Sequence, residues 1–166
     1  IQRSQLTTPC SSVFVDENGE RLIVNHTDAA LLEQAGEIPF SIDANTCVVM
    51  TDLRWTKGAQ YALYWARQHH KVGLLDFDQA PHSEHLPILS LASHVVFGEQ
   101  ALYNLTDSDN PHQALDAAYK LTAFAYTAVT LGEKGILWKA PSSEIQHIPS
   151  RCVSALNTLG AGDVFH

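Results

Sequence analysis

The chain has 166 residues, of which 45% are apolar, so it is the size of one domain and can bury a core. Its formal net charge of -8 argues against nucleic acid or a membrane surface as a partner, and any anionic substrate would have to be held by cations close to it. Three widely separated cysteines are typical of reduced thiols in a cytoplasmic protein rather than a disulfide framework, and neither a membrane span nor a signal peptide is visible.

The first part of the chain is predicted to form a β-hairpin. Residues 11–15 and 21–24 read as strands on either side of Asn18-Gly19, a dipeptide typical of tight hairpin turns. Asn25 follows the second predicted strand, where its amide could reach hydroxyl groups of a substrate; a turn or capping asparagine is the alternative. Residues 27–35 then predict a short helix.

Strands and helices alternate from residue 46 to residue 131. The predicted strands cover residues 47–50, 72–75, 94–97 and 126–131, and the predicted helices cover 57–70, 86–92, 98–105 and 111–124. The last helix is amphipathic and is expected to bury Ala114, Ala117, Ala118 and Leu121, while the apolar run over 47–50 predicts a buried strand. This alternation indicates an α/β fold with a largely parallel sheet.

Charged residues follow the first two strands of that region. Ligands of open α/β sheets bind outside the carboxyl ends of the strands, and Arg54 follows residues 47–50. Its guanidinium is a candidate fork for an anionic group of the substrate; pairing with Asp52 is the alternative. Asp76 and Asp78 are placed at the carboxyl end of the next strand, where two carboxylates suit a magnesium or sugar site, or cap the following loop.

His82 and His85 have a spacing that metal ligands also show. They fall in a predicted loop over residues 81–85, and a solvated loop is the preferred interpretation.

The end of the chain carries the most specific pattern. Residues 144–148 and 151–155 read as the last strands, followed by the turn 160–162, Asp163 and an apolar Val164-Phe165. Glycines in such a turn let backbone N–H groups approach a ligand, and the following helix N-terminus favours an anion. A carboxylate beside an anion site is tolerated where it does chemistry, such as taking a proton from an attacking hydroxyl. The combination indicates phosphoryl transfer to an alcohol.

Two other nucleotide motifs do not fit. The dinucleotide fingerprint needs a third glycine where Phe165 stands, and the phosphate-loop pattern GxxxxGK[ST] does not occur in the chain.

The ending LNTLGAGDVFH resembles the C-terminal signature DTxGAGDxF of the ribokinase-like (PfkB) carbohydrate kinases. Asn157 stands where the family usually has Asp, and the other fixed positions match: Thr158, Gly160, Ala161, Gly162, Asp163 and Phe165. The resemblance implies that Asp163 is the base that activates the sugar hydroxyl. It also implies that the amides of Gly160, Ala161 and Gly162 form the anion hole for the transferring phosphoryl group.

A second resemblance lies in VTLGEKGILW, which is similar to the TxGxxG turn that runs along the nucleotide phosphates in this family. Thr130, Gly132 and Gly135 match it, and with Asn157 they are the expected ATP-binding residues. Most members carry NxxE at the place where this chain has Gly98-Glu99. Glu99 is the nearest carboxylate, displaced by one residue, and is the expected contact for Mg²⁺.

The resemblance implies a fold, a substrate class and an assembly. Residues 1–26 are expected to be strands of a small β lid, and residues 27–166 are expected to be the α/β nucleotide- and sugar-binding core. The chain is expected to be an internal piece of a longer kinase, so the core is expected to be truncated at both ends. A cytoplasmic homodimer that uses ATP and Mg²⁺ to phosphorylate a small sugar is expected. The runs TDLRW and LDFD resemble sulfofructose kinase-like members, which makes an anionic sugar one expectation. The alternative is a kinase-like sugar-binding or regulatory protein without turnover, which Asn157 and the missing NxxE favour.

Overall fold

The computed structural model describes residues 7–17, 21–28, 30, 41–79, 81–151 and 153. Within them the chain forms two compact units. One contains the N-terminal hairpin, and the other contains the described residues from 41 to 153. The expected boundary after residue 26, between lid strands and core, stays a prediction.

The hairpin is present as the sequence predicts. Strands β1 (Cys10–Val15) and β2 (Arg21–His26) pair antiparallel, with Cys10 opposite His26 and Val15 opposite Arg21. The Asn-Gly turn lies outside the described residues, and so does most of the helix predicted over 27–35. Apolar side chains are exposed on both faces of the pair: Val13, Phe14, Val15, Leu22, Ile23 and Val24. A two-stranded sheet of this kind is only marginally stable without further packing.

The second unit is built on a six-stranded sheet whose strands lie in chain order. The strands are β3 (Val48–Thr51), β4 (Val72–Phe77), β5 (His94–Gly98), β6 (Tyr126–Thr130), β7 (Ile136–Lys139) and β8 (Gln146–Ile148). Neighbours from β3 to β6 are parallel, whereas β7 and β8 are antiparallel additions. The predicted α/β class with a largely parallel sheet is therefore confirmed.

Four helices connect these strands. They are α1 (Thr56–Gln68), α2 (Leu86–Leu89), α3 (Glu99–Thr106) and α4 (Pro111–Leu121), with 3₁₀ turns at Ser83–His85 and Gly132–Lys134. Local chemistry explains the start of α4, because the Asn110 side chain accepts the N–H groups of His112 and Gln113 and Pro111 occupies the first helical turn. Among the described residues, no helix is long and apolar enough to cross a membrane.

The helices pack on one face of the sheet. Alternate strand residues on that face are buried: Leu75, Phe77, Val95, Phe97, Val129 and Leu137. They share one core with Leu63 of α1, Leu102 of α3 and Leu115 of α4. This burial follows from the period of two along each strand and the apolar stripe of each helix.

Helix α4 ends earlier than its pattern predicts. Ala114 and Ala118 are buried as expected, Ala117 is half-buried, and Leu121 is 44% exposed rather than part of the core. The helix stops at Leu121 because two residues shortly after it have backbone conformations that a right-handed helix does not allow. Ala123 and Phe124 adopt φ angles of 51° and 66°, in the left-handed region.

The opposite face of the sheet is only half-covered. Its central row runs across Val96, Ala128 and Trp138, all of intermediate exposure. At the edge, Val48 and Met50 of β3 are 54% and 52% exposed. The prediction that residues 47–50 form a buried strand is wrong, because in the described part of the chain β3 pairs with β4 alone and only one of its faces meets α1.

Candidate functional site

The carboxyl ends of β3, β4, β5 and β6 meet at one edge of the sheet because these strands are parallel. Thr51 pairs with Leu75, Phe77 with Phe97, and Gly98 with Thr130. Three strand spacings of about 4.8 Å separate β3 from β6, so this edge is about 14 Å wide. Ligands of open α/β sheets bind at such an edge.

Arg54 joins the ends of β3 and β4. The Arg54 backbone N–H donates to Asp52 Oδ1 at 2.9 Å, and Nη1 donates to Asp52 Oδ2 at 2.7 Å. Nη2 donates to Asp78 Oδ2 at 3.2 Å. The bond to Asp52 raises the pKa of Arg54, with Asp78 adding to it, so the guanidinium stays charged. The pairing with Asp52 that the sequence left open is thus present, and Asp78 adds a second contact.

The two aspartates of β4 have different positions. Asp78 follows the strand and is exposed, whereas Asp76 lies inside it, 9% exposed and opposite Val96. Both therefore lie at the carboxyl end of β4, but Asp76 is the last residue but one of the strand, because β4 continues to Phe77. Gly98 of β5 lies beside Asp78, since a Cβ atom there would come within 3.7 Å of the Asp78 Cα.

Glu99 begins α3 directly after β5 and has a partner one helical turn away. The Tyr103 hydroxyl donates to Glu99 Oε1 at 2.9 Å. Burial, with this bond as the second cause, raises the pKa of Tyr103 to about 12, so the phenol remains a donor. Sequence reasoning missed Tyr103, although its i, i+4 spacing from Glu99 was the available signal.

Histidines do not add a metal centre to this edge. His85 is 3% exposed and packs edge-on against Phe77, so the prediction of a solvated loop is wrong for it. Its burial comes from the 3₁₀ turn at Ser83–His85, which directs the ring into the core. Nowhere in the described ranges do three or more His, Cys, Asp or Glu side chains converge as metal ligands.

The turn after β6 contains two glycines with different surroundings. Gly132 has φ 57° and no heavy atom within 4 Å of the position that a Cβ would occupy. Gly135 has φ 90°, and a Cβ there would lie 2.1 Å from the carbonyl oxygen of Ile148. Gly132 therefore faces open space, whereas Gly135 is fixed by packing against the end of β8. Thr130 precedes them, half-buried, with its hydroxyl 3.4 Å from the Phe97 carbonyl oxygen.

Another glycine supports the residue that follows Arg54. A Cβ on Gly58 would lie 2.3 Å from a ring carbon of Trp55, so the Trp55 indole rests directly on the first turn of α1. Gly58 belongs to none of the predicted motifs, although its spacing of three residues from Trp55 was an available signal.

The remaining predicted site residues are Asn25, in the hairpin, and residues near the end of the chain. Asn25 lies within β2, opposite Ser11, and not after the strand as predicted, because β2 continues to His26. Its Oδ1 accepts the Ser11 hydroxyl at 2.7 Å. Asn157 and the residues 160–163, with the predicted anion hole and Asp163, lie outside the described residues.

Comparisons with known proteins agree on one family. The model of the pfkB family carbohydrate kinases matches residues 2–166. A candidate ribokinase of Agrobacterium tumefaciens is 29% identical with a TM-score of 0.84, over 96% of this chain and 52% of that one. Ribokinase of Thermotoga maritima is 21% identical with a TM-score of 0.70, over 99% and 55% of the two chains.

A fructokinase of Vibrio alginolyticus is 36% identical over 77 residues, which are 46% of this chain and 24% of that protein. The chain thus spans about half the length of the solved structures it matches. The mostly parallel six-stranded sheet and the separate antiparallel hairpin are the ribokinase-like fold. On this fold and on a match that covers nearly every residue, the chain belongs to the pfkB family of carbohydrate kinases.

Proposed function

We propose that the protein transfers the γ-phosphoryl group of ATP to a hydroxyl group of a sugar or sugar derivative. The observation that carries this proposal is the family match over residues 2–166, which includes the sequence Gly160-Ala161-Gly162-Asp163. The described edge of the sheet supports it, because its two ends suit the two substrates.

In the proposed reaction, Asp163 takes the proton of the sugar hydroxyl while the sugar oxygen attacks the γ-phosphorus. The bond from that phosphorus to the bridging oxygen breaks, and ADP leaves with the electron pair. Amides of residues 160–162 donate to the charge that develops on the transferring group. Positioning and charge stabilisation are the main contributions that a protein makes to this chemistry.

The β6 end of the edge suits the nucleotide. Gly132 presents a turn with open space beside it, which lets phosphate oxygens approach the backbone closely. Thr130 precedes this turn, and Asn157 is proposed to complete the nucleotide site. Gly135 contributes by holding the turn against β8 rather than by offering space.

Glu99 is the proposed contact for Mg²⁺. Magnesium is usually held by one or two carboxylates together with water and substrate phosphates, so a single carboxylate at this edge fits it. The bound metal would neutralise charge on the phosphates. Tyr103 holds one carboxylate oxygen of Glu99 and leaves the other for the metal or its water.

The β3 and β4 end suits the sugar. Arg54 and Asp78 present a guanidinium and a carboxylate side by side, and the buried Asp76 lies in β4, two residues before Asp78. Asn25, from the proposed lid, would supply a further amide. Such a set binds hydroxyl groups, and Arg54 offers a cation for a sulfonate, phosphate or carboxylate substituent.

The alternative function is a kinase-like sugar-binding or regulatory protein without turnover. The replacement of the family's usual Asp by Asn157 and the displaced Glu99 favour it, whereas the retained Asp163 opposes it.

In either case we propose a cytoplasmic homodimer, for which the exposed apolar residues of β1 and β2 offer a contact surface.

Substitution of the proposed base tests the reaction. Full-length wild-type protein, Asp163→Asn and the control Asp109→Asn are assayed for ADP release against a panel of neutral and anionic sugars. The rate of Asp163→Asn is expected to fall by about 10²–10⁴ with ATP affinity retained, whereas the control stays at the wild-type rate. Retention of more than about a tenth of the rate would contradict the role of Asp163. Sugar binding without phosphorylation by the wild type would establish the alternative.

A further inference from the structure

A groove of about 370 Å³ lies at the amino ends of β4, β5 and β6, at the opposite edge of the sheet from the proposed kinase site. Its walls are the end of α1, the segment 90–94 before β5 and the segment 122–126 before β6. This volume falls within the range of small-molecule pockets, which starts at about 300 Å³.

The groove carries positive charge in an acidic protein. Arg67 and Lys71 line it, and none of the described residues that line it is Asp or Glu. Arg67 Nη1 donates to the carbonyl oxygen of Ser90 at 3.0 Å, which fixes the guanidinium while its other N–H groups remain available. The described carboxylates form their ion pairs with other cations, so neither Arg67 nor Lys71 is neutralised by them.

Hydrogen bonds join the strands at the floor of the groove, and the described side chains there carry no opposing charge. Ser93 Oγ lies 3.0 Å from the Gly73 amide and 3.0 Å from His94 Nδ1, so this hydroxyl ties β4 to β5. The His94 ring stacks on Tyr126 with centroids 4.7 Å apart. Burial lowers the pKa of His94, which leaves the imidazole neutral at neutral pH.

Most of the remaining lining is apolar or aromatic. Phe124 is 58% exposed, although its ring packs edge-on against Tyr119 with centroids 5.2 Å apart. Its backbone is held in the left-handed region by a hydrogen bond from its N–H to the Tyr119 carbonyl oxygen. An exposed aromatic ring in a fixed position offers a surface for the planar or apolar body of a ligand.

We infer that this groove is a second binding site, which takes a small organic anion with a carboxylate or phosphate head group and a planar apolar body. Arg67 and Lys71 bind the head group, and Phe124 and Tyr126 contact the body. The site is separate from the proposed transfer of a phosphoryl group, because it lies at the other edge of the sheet.

Titration of the ¹⁵N-labelled full-length protein with phenyl phosphate tests this site. Saturable shifts of the Gly73, Ala92 and Phe124 amide resonances are expected. Benzoate in a parallel titration decides between the two head groups, whereas inorganic phosphate and phenol, each with half of the required chemistry, are expected to bind at least about tenfold more weakly.

Variants connect those shifts to the groove. Arg67→Ala and Lys71→Glu are expected to raise Kd for phenyl phosphate about tenfold or more, and Phe124→Ala to raise it less. Lys120→Ala, an exposed cation on α4 outside the groove, is the control and should leave Kd unchanged. Shifts confined to the carboxyl edge, no shift at all, or a wild-type Kd in both Arg67→Ala and Lys71→Glu would overturn the inference.

Discussion

Arg54 is held by two carboxylates, and this bears on the substrate that the sugar end can accept. Its ion pairs with Asp52 and Asp78 are more than one-third exposed, and such pairs contribute about 0–1 kcal/mol each. An incoming anionic group can therefore recruit the guanidinium at small cost. A neutral sugar would instead bind Asp78 and leave the pairs intact.

We expect Arg54→Ala to raise KM for an anionic sugar about ten- to hundredfold, because a charge-assisted hydrogen bond is lost, with little change in KM for ATP. Arg54→Lys should recover only part of the loss, since an ammonium group cannot make a two-pronged contact. Lys120→Ala is the matched control in the same steady-state assay, because Lys120 is a cation on α4 and is not one of the residues at this edge. Efficient phosphorylation of neutral sugars with an unchanged KM in Arg54→Ala would show that Arg54 acts only as a clamp between β3 and β4.

Sequence reasoning identified Arg54 and Asp78 at strand ends but not their contact. That contact depends on β3 lying beside β4, which is a property of the sheet order rather than of either segment. The end of β4 was predicted too early, at Leu75, because the sequence does not show that the strand continues two residues further, to Phe77. Tyr103 was missed because it contributes through a hydrogen bond to Glu99 and belongs to no sequence motif.

In the turn between β6 and β7, the two glycines have different roles. Gly132 and Gly135 both have positive φ, but only Gly135 is crowded by the backbone of residues 148–150. The TxGxxG motif predicts the same role for both glycines, because a local sequence pattern cannot show that β8 packs against the second of them.

Gly135→Ala is expected to destabilise the protein by about 3 kcal/mol, because a backbone with φ 90° and ψ -137° costs a residue with a Cβ about 1–3 kcal/mol and because that Cβ would overlap the Ile148 carbonyl. Gly132→Ala, the matched variant, should cost only the strain, about 1–2 kcal/mol, and should instead raise KM for ATP by occupying the open space. Urea denaturation and steady-state kinetics of the two variants measure both effects. Equal losses of stability would contradict the packing of Gly135 against β8.

Helix and strand periods predicted most elements of the second unit, whereas their ends depended on local conformation. The predicted core face was recovered at Ala114 and Ala118. Leu121 was assigned to the same face because its spacing fits, but the left-handed residues that follow end α4 and leave its side chain in solvent. The pattern over 47–50 could not distinguish a central strand from an edge strand.

The two faces of the six-stranded sheet differ in how they are covered. One is closed by the described helices, and the other presents half-exposed apolar residues such as Met50 and Trp138. Parallel strands such as β3 to β6 are usually covered on both faces of their sheet. Half-exposed apolar residues, together with strand edges that are unpaired in the described part of the chain, also favour association of chains.

We therefore expect residues 1–166, expressed alone, to bind a hydrophobic dye and to aggregate as concentration rises. Met50→Lys should reduce both effects, because it places a charge on the open face of β3, where Met50 is 52% exposed. Tyr64→Lys is the control, since Tyr64 is 55% exposed on α1, a helix of the closed face, and should leave dye binding unchanged. Dye fluorescence and light scattering over a concentration series measure the outcome. A cooperative, monomeric segment that binds no dye would show that the half-exposed face needs no further cover.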